Sequence, residues 1–172
     1  MLEKLILDSL SESDINNIVD AFKSIGWNKP RSLYENYLQE QSNATRSVIV
    51  AKTDDKFCGY VTMKWKSDYP AFNEKEIPEI VDLNVLPQYQ NRGIGTQLIQ
   101  ACETMAIEQG ITTMGIGVGM TADYGNAQRL YVCLGYMPDK RGLHYKNKQL
   151  QHSELVTVDD DLVLYFTKKL TA

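Results

Sequence analysis

Gln90-Asn91-Arg92-Gly93-Ile94-Gly95-Thr96 is the stretch that decides the reading of this chain, because of what stands on either side of it. Before it runs Glu79-Ile80-Val81-Asp82-Leu83-Asn84-Val85, whose β-branched and apolar residues read as a strand. After it, Ile94, Leu98, Cys102, Met105 and Ala106 follow helical spacing and stack on one face of a helix that Gly110 ends. Glycines at 93 and 95 let the main chain curl tightly between the two elements. The first amides of the helix then point outward without intrahelical acceptors, at the positive end of the helix dipole. Such a turn is an anion cradle, and Arg92 adds a cation at its rim. A Rossmann fingerprint would need glycine where Leu98 stands, and the Walker Gly-Lys pair is absent. A lone G-x-G also closes ordinary strand-to-helix turns, so the flanking segments carry the choice.

Working outward toward the N-terminus, Leu2, Leu5, Ile6 and Leu7 suggest a first strand, and Ser11 with Asp14 forms a capping-box start. Ile15, Ile18, Val19, Phe22 and Ile25 then fall on one helical face, up to Gly26. Leu33, Tyr34, Tyr37 and Leu38 after Pro30 predict a second helix. Ser47 to Ala51, the turn residues Thr53 to Lys56, and the alternation of Val61, Met63 and Trp65 predict a hairpin. Ser67 to Pro78 reads as a polar loop, either on the substrate side or a plain connection. Toward the C-terminus, Thr112 to Val118 reads as a strand, Asn126 to Leu134 as a helix stopped by Gly135, and Leu162 to Thr167 as a late strand. This order predicts a mixed α/β (α+β) fold, with a twisted sheet of about six or seven strands and about four helices, in one domain over residues 1–172.

Three segments together resemble the GNAT family of N-acetyltransferases. Gln90-Asn91-Arg92-Gly93-Ile94-Gly95 matches that family's Q/R-x-x-G-x-G/A signature. The strand from Glu79 to Val85 and the run from Asn126 through Leu130-Tyr131 to Gly135-Tyr136 match the segments before and after it. The resemblance implies acetyl-CoA as cosubstrate and no metal. It places the diphosphate on the main chain around Gln90, Asn91, Arg92, Gly93, Ile94, Gly95 and Thr96. It places the pantetheine arm along Leu83, Asn84 and Val85, where it would satisfy main-chain groups as an added strand does. Asn126 would reach the cofactor from the opposite side, and it is equally placed to cap the helix it opens. Tyr131 would protonate the departing sulfur, a phenol of ordinary pKa about 10 being protonated at neutral pH; packing is its other reading. Glu79 occupies the position of the glutamate base in the histone-acetylating branch; a solvated strand end is its other reading. Asp82, Asp123 and water are the remaining candidates for that role. The glutamate that serves the ribosomal-protein-acetylating branch on its fifth strand has no counterpart in Gly115-Ile116-Gly117-Val118-Gly119-Met120, and these glycines suggest close backbone approach to the cofactor arm or a neighbouring strand.

Composition narrows the remaining classes. A hydrophobic share of 43% with 23% charged residues excludes disorder and collagen-like architecture. A net charge of −4 offers no general pull on nucleic acid and mildly favours a cationic acceptor. Cys58, Cys102 and Cys133 lack metal or disulfide spacing and read as buried thiols, while His144 and His152 read as packing or surface residues. Without a signal-peptide pattern or a long apolar run, the expected location is the cytoplasm, with no membrane partner. The expected activity is transfer of acetyl from acetyl-CoA to a primary amine by direct attack in a ternary complex. The acceptor is either a small molecule or a protein, and the sequence leaves room for a homodimer. The competing reading is a non-catalytic acyl-CoA-binding or regulatory module.

Overall fold

The computed structural model describes residues 4–171; Leu2, expected in the first strand, lies outside them. Two compact units divide the described chain: the residues up to Trp65 with Val81–Cys102, and Lys66–Ile80 with the residues from Glu103 on.

In the first unit, β1 (Leu5–Ser9), β2 (Arg46–Thr53), β3 (Lys56–Lys64) and β4 (Glu79–Val85, of which Val81 to Val85 belong here) lie in that order. Strands β1, β2 and β3 pair antiparallel, the hairpin turning at Thr53 and Lys56 as its turn residues predict. Ser11 opens a single 3-10 turn, Glu12–Asp14, that leads into α1 (Ile15–Ser24), and its amide donates to the Asp14 carboxylate at 2.9 Å. The predicted apolar face of α1 is the buried one: Ile15, Ile18 and Phe22 pack with Tyr34 of α2 (Arg31–Ser42) on Val48, Val50 and Tyr60. Removing these side chains from water is the main favourable contribution to folding.

In the second unit the order is β4 (Glu79 and Ile80), β5 (Thr113–Gly119), β8 (Leu162–Lys169), β6 (Met137–Tyr145) and β7 (Lys148–Gln149). Strands β4 and β5 are parallel, pairing Glu79 with Gly115 and Ile80 with Ile116, and the other pairs are antiparallel. Helix α4 (Ile94–Glu108) contributes to both units, and α5 (Gly125–Cys133) belongs to the second. The polar loop expected over Ser67 to Pro78 contains a short helix, α3 (Pro70–Asn73), and its Tyr69, Phe72 and Ile77 are buried against Tyr165.

The described residues thus hold eight strands and five α-helices, more than the six or seven strands and four helices expected. The unforeseen strand β6 is mostly exposed and carries a register shift between Pro138 and Leu143, with Lys140 and Gly142 in left-handed conformation. Polar composition and a bulge erase the period-two alternation by which a strand is recognised.

The β5 glycines make room for aromatic rings, one of which, Tyr165, is carried by the neighbouring strand β8. A Cβ on Gly115 would meet the Phe72 ring at 2.3 Å, one on Gly117 the Tyr165 ring at 2.8 Å, and one on Gly119 the Tyr124 ring at 2.5 Å. All three lie on one face by alternation. Gly115→Ala is therefore expected to cost about 1–3 kcal/mol, the usual range for overpacking. Denaturant unfolding measures it, and unchanged stability would show that Phe72 moves aside freely.

Candidate active site

The turn after β4 has the geometry of an anion cradle. A 3-10 turn, Pro87–Tyr89, leads to Asn91 and Gly93, both left-handed at φ 60° and 78°. The amide of Gln97 donates to Gly93 O at 3.0 Å, so the amides of Ile94, Gly95 and Thr96 come before the helical ladder. Buried Ile94 anchors the helix start while Asn91, Arg92 and Gly93 are exposed. A Cβ built on Gly93 meets nothing within 4 Å, so the space in front of it is open. The Arg92 guanidinium lies 5.6 Å from the Tyr89 ring centroid, at the rim. Gln90 shapes this turn, its Nε2 donating to Val85 O at 3.0 Å. Free amides, an unobstructed front and one cation fit a diphosphate.

Within β4, Asp82 adopts φ 54°, which interrupts the alternation that groups Glu79, Val81, Leu83 and Val85 on one face. The hydroxyls of Tyr37 and Tyr60 donate to its Oδ2 at 2.7 and 2.6 Å, and Asn84 Nδ2 donates to its Oδ1 at 2.6 Å. Lys29 Nζ stands 3.5 Å from the same Oδ1. Burial first, and the Asp82 charge after it, push the Tyr37 and Tyr60 hydroxyls well above the ordinary tyrosine range. Both therefore remain donors. Leu83, Asn84 and Val85 are half-buried, and the Asn84 side chain is turned to Asp82 and to the Tyr60 hydroxyl.

The second unit holds Glu79 and Tyr131. Glu79 is buried at 7% exposure, against the reading as a solvated strand end. Its Oε2 accepts the Ser67 hydroxyl at 2.5 Å, and Ser67 Oγ accepts the Tyr69 amide at 3.0 Å. The Tyr69 ring stacks on Tyr165 at 3.7 Å, with His144 edge-on to both. Burial, then the charges of Glu79, Asp139 and Asp68, push the Tyr165 hydroxyl up. Ser67, Tyr69 and Tyr165 escaped sequence reasoning because no local pattern links them to Glu79.

Tyr131 is buried near the end of α5, its ring centroid 6.3 Å from that of Tyr136. Tyr136 in turn donates to Glu103 Oε1 at 2.8 Å, and Lys168 Nζ bonds both oxygens of that glutamate at 2.8 and 2.9 Å. Asn126 is not the helix cap, since Gly125 begins α5 and Tyr124 precedes it; its side chain is left exposed in the first turn. Gln128, unmarked in the sequence, donates to Gly119 O at 2.8 Å and ties α5 to β5. Asp123 is exposed. Cys58 and Cys102 are buried as expected, but Cys133 is exposed because it follows Tyr131 by two residues on the helix and faces away from its buried side. His144 is buried and His152 exposed. Among the described residues no group of three His, Cys, Asp or Glu is placed to hold a metal, and no helix is long and apolar enough to cross a membrane.

The fold is that of known acetyltransferases. An N-acetyltransferase from Staphylococcus aureus Mu50 superposes with TM-score 0.71 at 15% identity, covering 98% of this chain and 99% of the other. The yncA acetyltransferase of Salmonella typhimurium, solved with its cofactor acetyl-CoA, gives TM-score 0.67 at 16% identity over 97% and 94% of the two chains. The ribosomal-protein-S18-alanine N-acetyltransferase of Escherichia coli gives 0.67 at 14% over 98% and 96%. No curated protein matches the sequence at a significant level. The model of the acetyltransferase (GNAT) family matches residues 13–136, which take in the cradle, Glu79 and Tyr131. The chain belongs to the GNAT family of acetyltransferases.

Proposed function

We propose that this enzyme transfers the acetyl group of acetyl-CoA to a primary amine by direct attack in a ternary complex. The observation that carries the reading is the open cradle at Asn91 to Thr96, in a chain whose family is that of acetyltransferases. Bound acetyl-CoA supplies an activated acetyl thioester. The amides from Asn91 to Thr96, with Arg92, hold the diphosphate, Gln90 keeps their turn closed, and Asn126 approaches the cofactor from its exposed place on α5. The main chain of Leu83, Asn84 and Val85 orients the arm and the acetyl oxygen. Glu79 takes the amine proton, directly or through one water, and Tyr131 gives a proton to the sulfur as the carbon–sulfur bond breaks. No cysteine nucleophile is required.

The acceptor is a small-molecule amine or a protein amine. Strand β5 carries no carboxylate, so a protein acceptor would be served by Glu79 rather than from that strand. An exposed free thiol at Cys133 suits a reducing compartment, and we place the enzyme in the cytoplasm.

The test is a panel of polyamines, amino acids, aminoglycosides and peptides presented with acetyl-CoA, with release of free thiol as the readout. Thiol release with at least one amine supports the proposal. Binding of acetyl-CoA without thiol release from any amine would make the chain a binding module. With a productive acceptor in hand, Glu79→Gln is expected to abolish the acid limb of the pH–rate profile, because that limb records protonation of the base. An unchanged limb would pass the role to water or to Asp123.

A further inference from the structure

A non-glycine residue in left-handed conformation inside a strand is strained and persists only where its surroundings over-determine it. Asp82 is such a residue, at φ 54° between Val81 and Leu83. Aspartate tolerates this region better than most side chains, yet four donors are spent on keeping it there. They come from separate parts of the first unit: Lys29 precedes α2, Tyr37 lies on α2, Tyr60 on β3, and Asn84 two residues further along β4. The Tyr34 ring packs edge-on against both Tyr37 and Tyr60, at 6.2 and 5.6 Å, and Lys29 lies over the Tyr60 ring at 5.6 Å.

We infer that Asp82 is a positioning residue: its carboxylate clamps the bend in β4 and thereby fixes the main chain of Leu83 to Val85. The inference rests on the proposed function for the use of that main chain, which is to orient the acyl arm. Both carboxylate oxygens are engaged, one by two hydroxyls and the other by an amide and an ammonium. These contacts tie the carboxylate to α2, β3 and β4 at once and give it a structural task in the bend. The bend is strained locally and held from elsewhere in the chain, which is how a short main-chain segment is given one fixed geometry before a ligand arrives.

Two variants separate positioning from chemistry. Asp82→Ala removes the clamp and tolerates the left-handed region poorly. It is expected to lower kcat roughly 100-fold, the usual consequence of misplacing a reacting group by about an ångström. The Kd for coenzyme A should rise far less than kcat falls, since the cradle is untouched and only the contacts of the arm are loosened. Asp82→Asn keeps both the backbone tolerance and an acceptor oxygen, and should remain within about tenfold of wild type, the worth of a weakened hydrogen bond. Amide hydrogen exchange over residues 79–86, measured without cofactor, should quicken strongly in Asp82→Ala and little in Asp82→Asn. If Asp82→Ala does not fold, Tyr37→Phe serves in its place, with quickened exchange at 82–85 and a reduced kcat expected.

The proposal is overturned if Asp82→Asn is as inactive as Asp82→Ala, which would mark the carboxylate as a chemical group. It is equally overturned if exchange over β4 is unchanged in every clamp variant that folds. Failure of the wild type to bind acetyl-CoA would instead refute the proposed function, and the exchange experiment would still decide the clamp.

Discussion

Tyr131→Phe is expected to lower kcat for acetyl transfer by roughly 100- to 1,000-fold while the Kd for acetyl-CoA changes by less than about threefold. The substitution removes one oxygen and keeps the ring. Tyr131 is buried beside Tyr136, and its carbonyl accepts the Tyr136 amide at 3.0 Å where the helix closes, a bond that either side chain permits. Tyr136 is itself fixed by Glu103 and Lys168, so the wall of the Tyr131 ring survives the change. On the proposed mechanism, what is lost is the proton offered to the sulfur as the thioester breaks. A thiolate left without a donor is a poorer leaving group when the amine is weakly basic, so the deficit should grow as the acceptor becomes less nucleophilic. Rapid-quench turnover and equilibrium titration measure the two quantities separately. Equal losses in both would reassign Tyr131 to packing.

Gly93→Asp should weaken coenzyme A binding on the order of 100-fold, because it sets a carboxylate among the amides proposed to hold the diphosphate. Aspartate tolerates the left-handed conformation that Gly93 adopts at φ 78°, and its Cβ would meet no neighbour within 4 Å. Folding should therefore be unaffected, and the change isolates charge from shape. Gly93→Asn, which differs from Gly93→Asp in charge alone and projects into the same open space, should lie within about fivefold of wild type. Equal affinity in the two variants would show that the diphosphate is not held at this turn.

Much of this architecture is legible in the sequence for local reasons. Helix α4 announces itself through Ile94, Leu98, Cys102 and Ala106, all buried, and the turn before it through two glycines at the right spacing. The hairpin β2–β3 follows from β-branched runs around a turn tetrad. The features that escape are those made by distance along the chain. Val81-Asp82-Leu83 looks like ordinary strand, and nothing in it signals a left-handed residue whose clamps lie 45 and 22 positions earlier, at Tyr37 and Tyr60. Glu79 was legible as a carboxylate at a strand start, but its burial and its Ser67 partner arise from packing of the loop before it. The glycines of β5 signalled a close approach; that the approaching groups are Phe72, Tyr165 and Tyr124 is set by the packing of segments both before and after the strand. Strand β6 escaped for the opposite reason, since its exposure leaves no apolar alternation to detect.

Isothermal titration of coenzyme A into the wild-type protein puts the open amides ahead of α4 to the most direct trial. Saturable heat at one site per chain, displaced by acetyl-CoA and diminished by Gly93→Asp, is the predicted result. Absence of heat together with absence of displacement would contradict the account at its base.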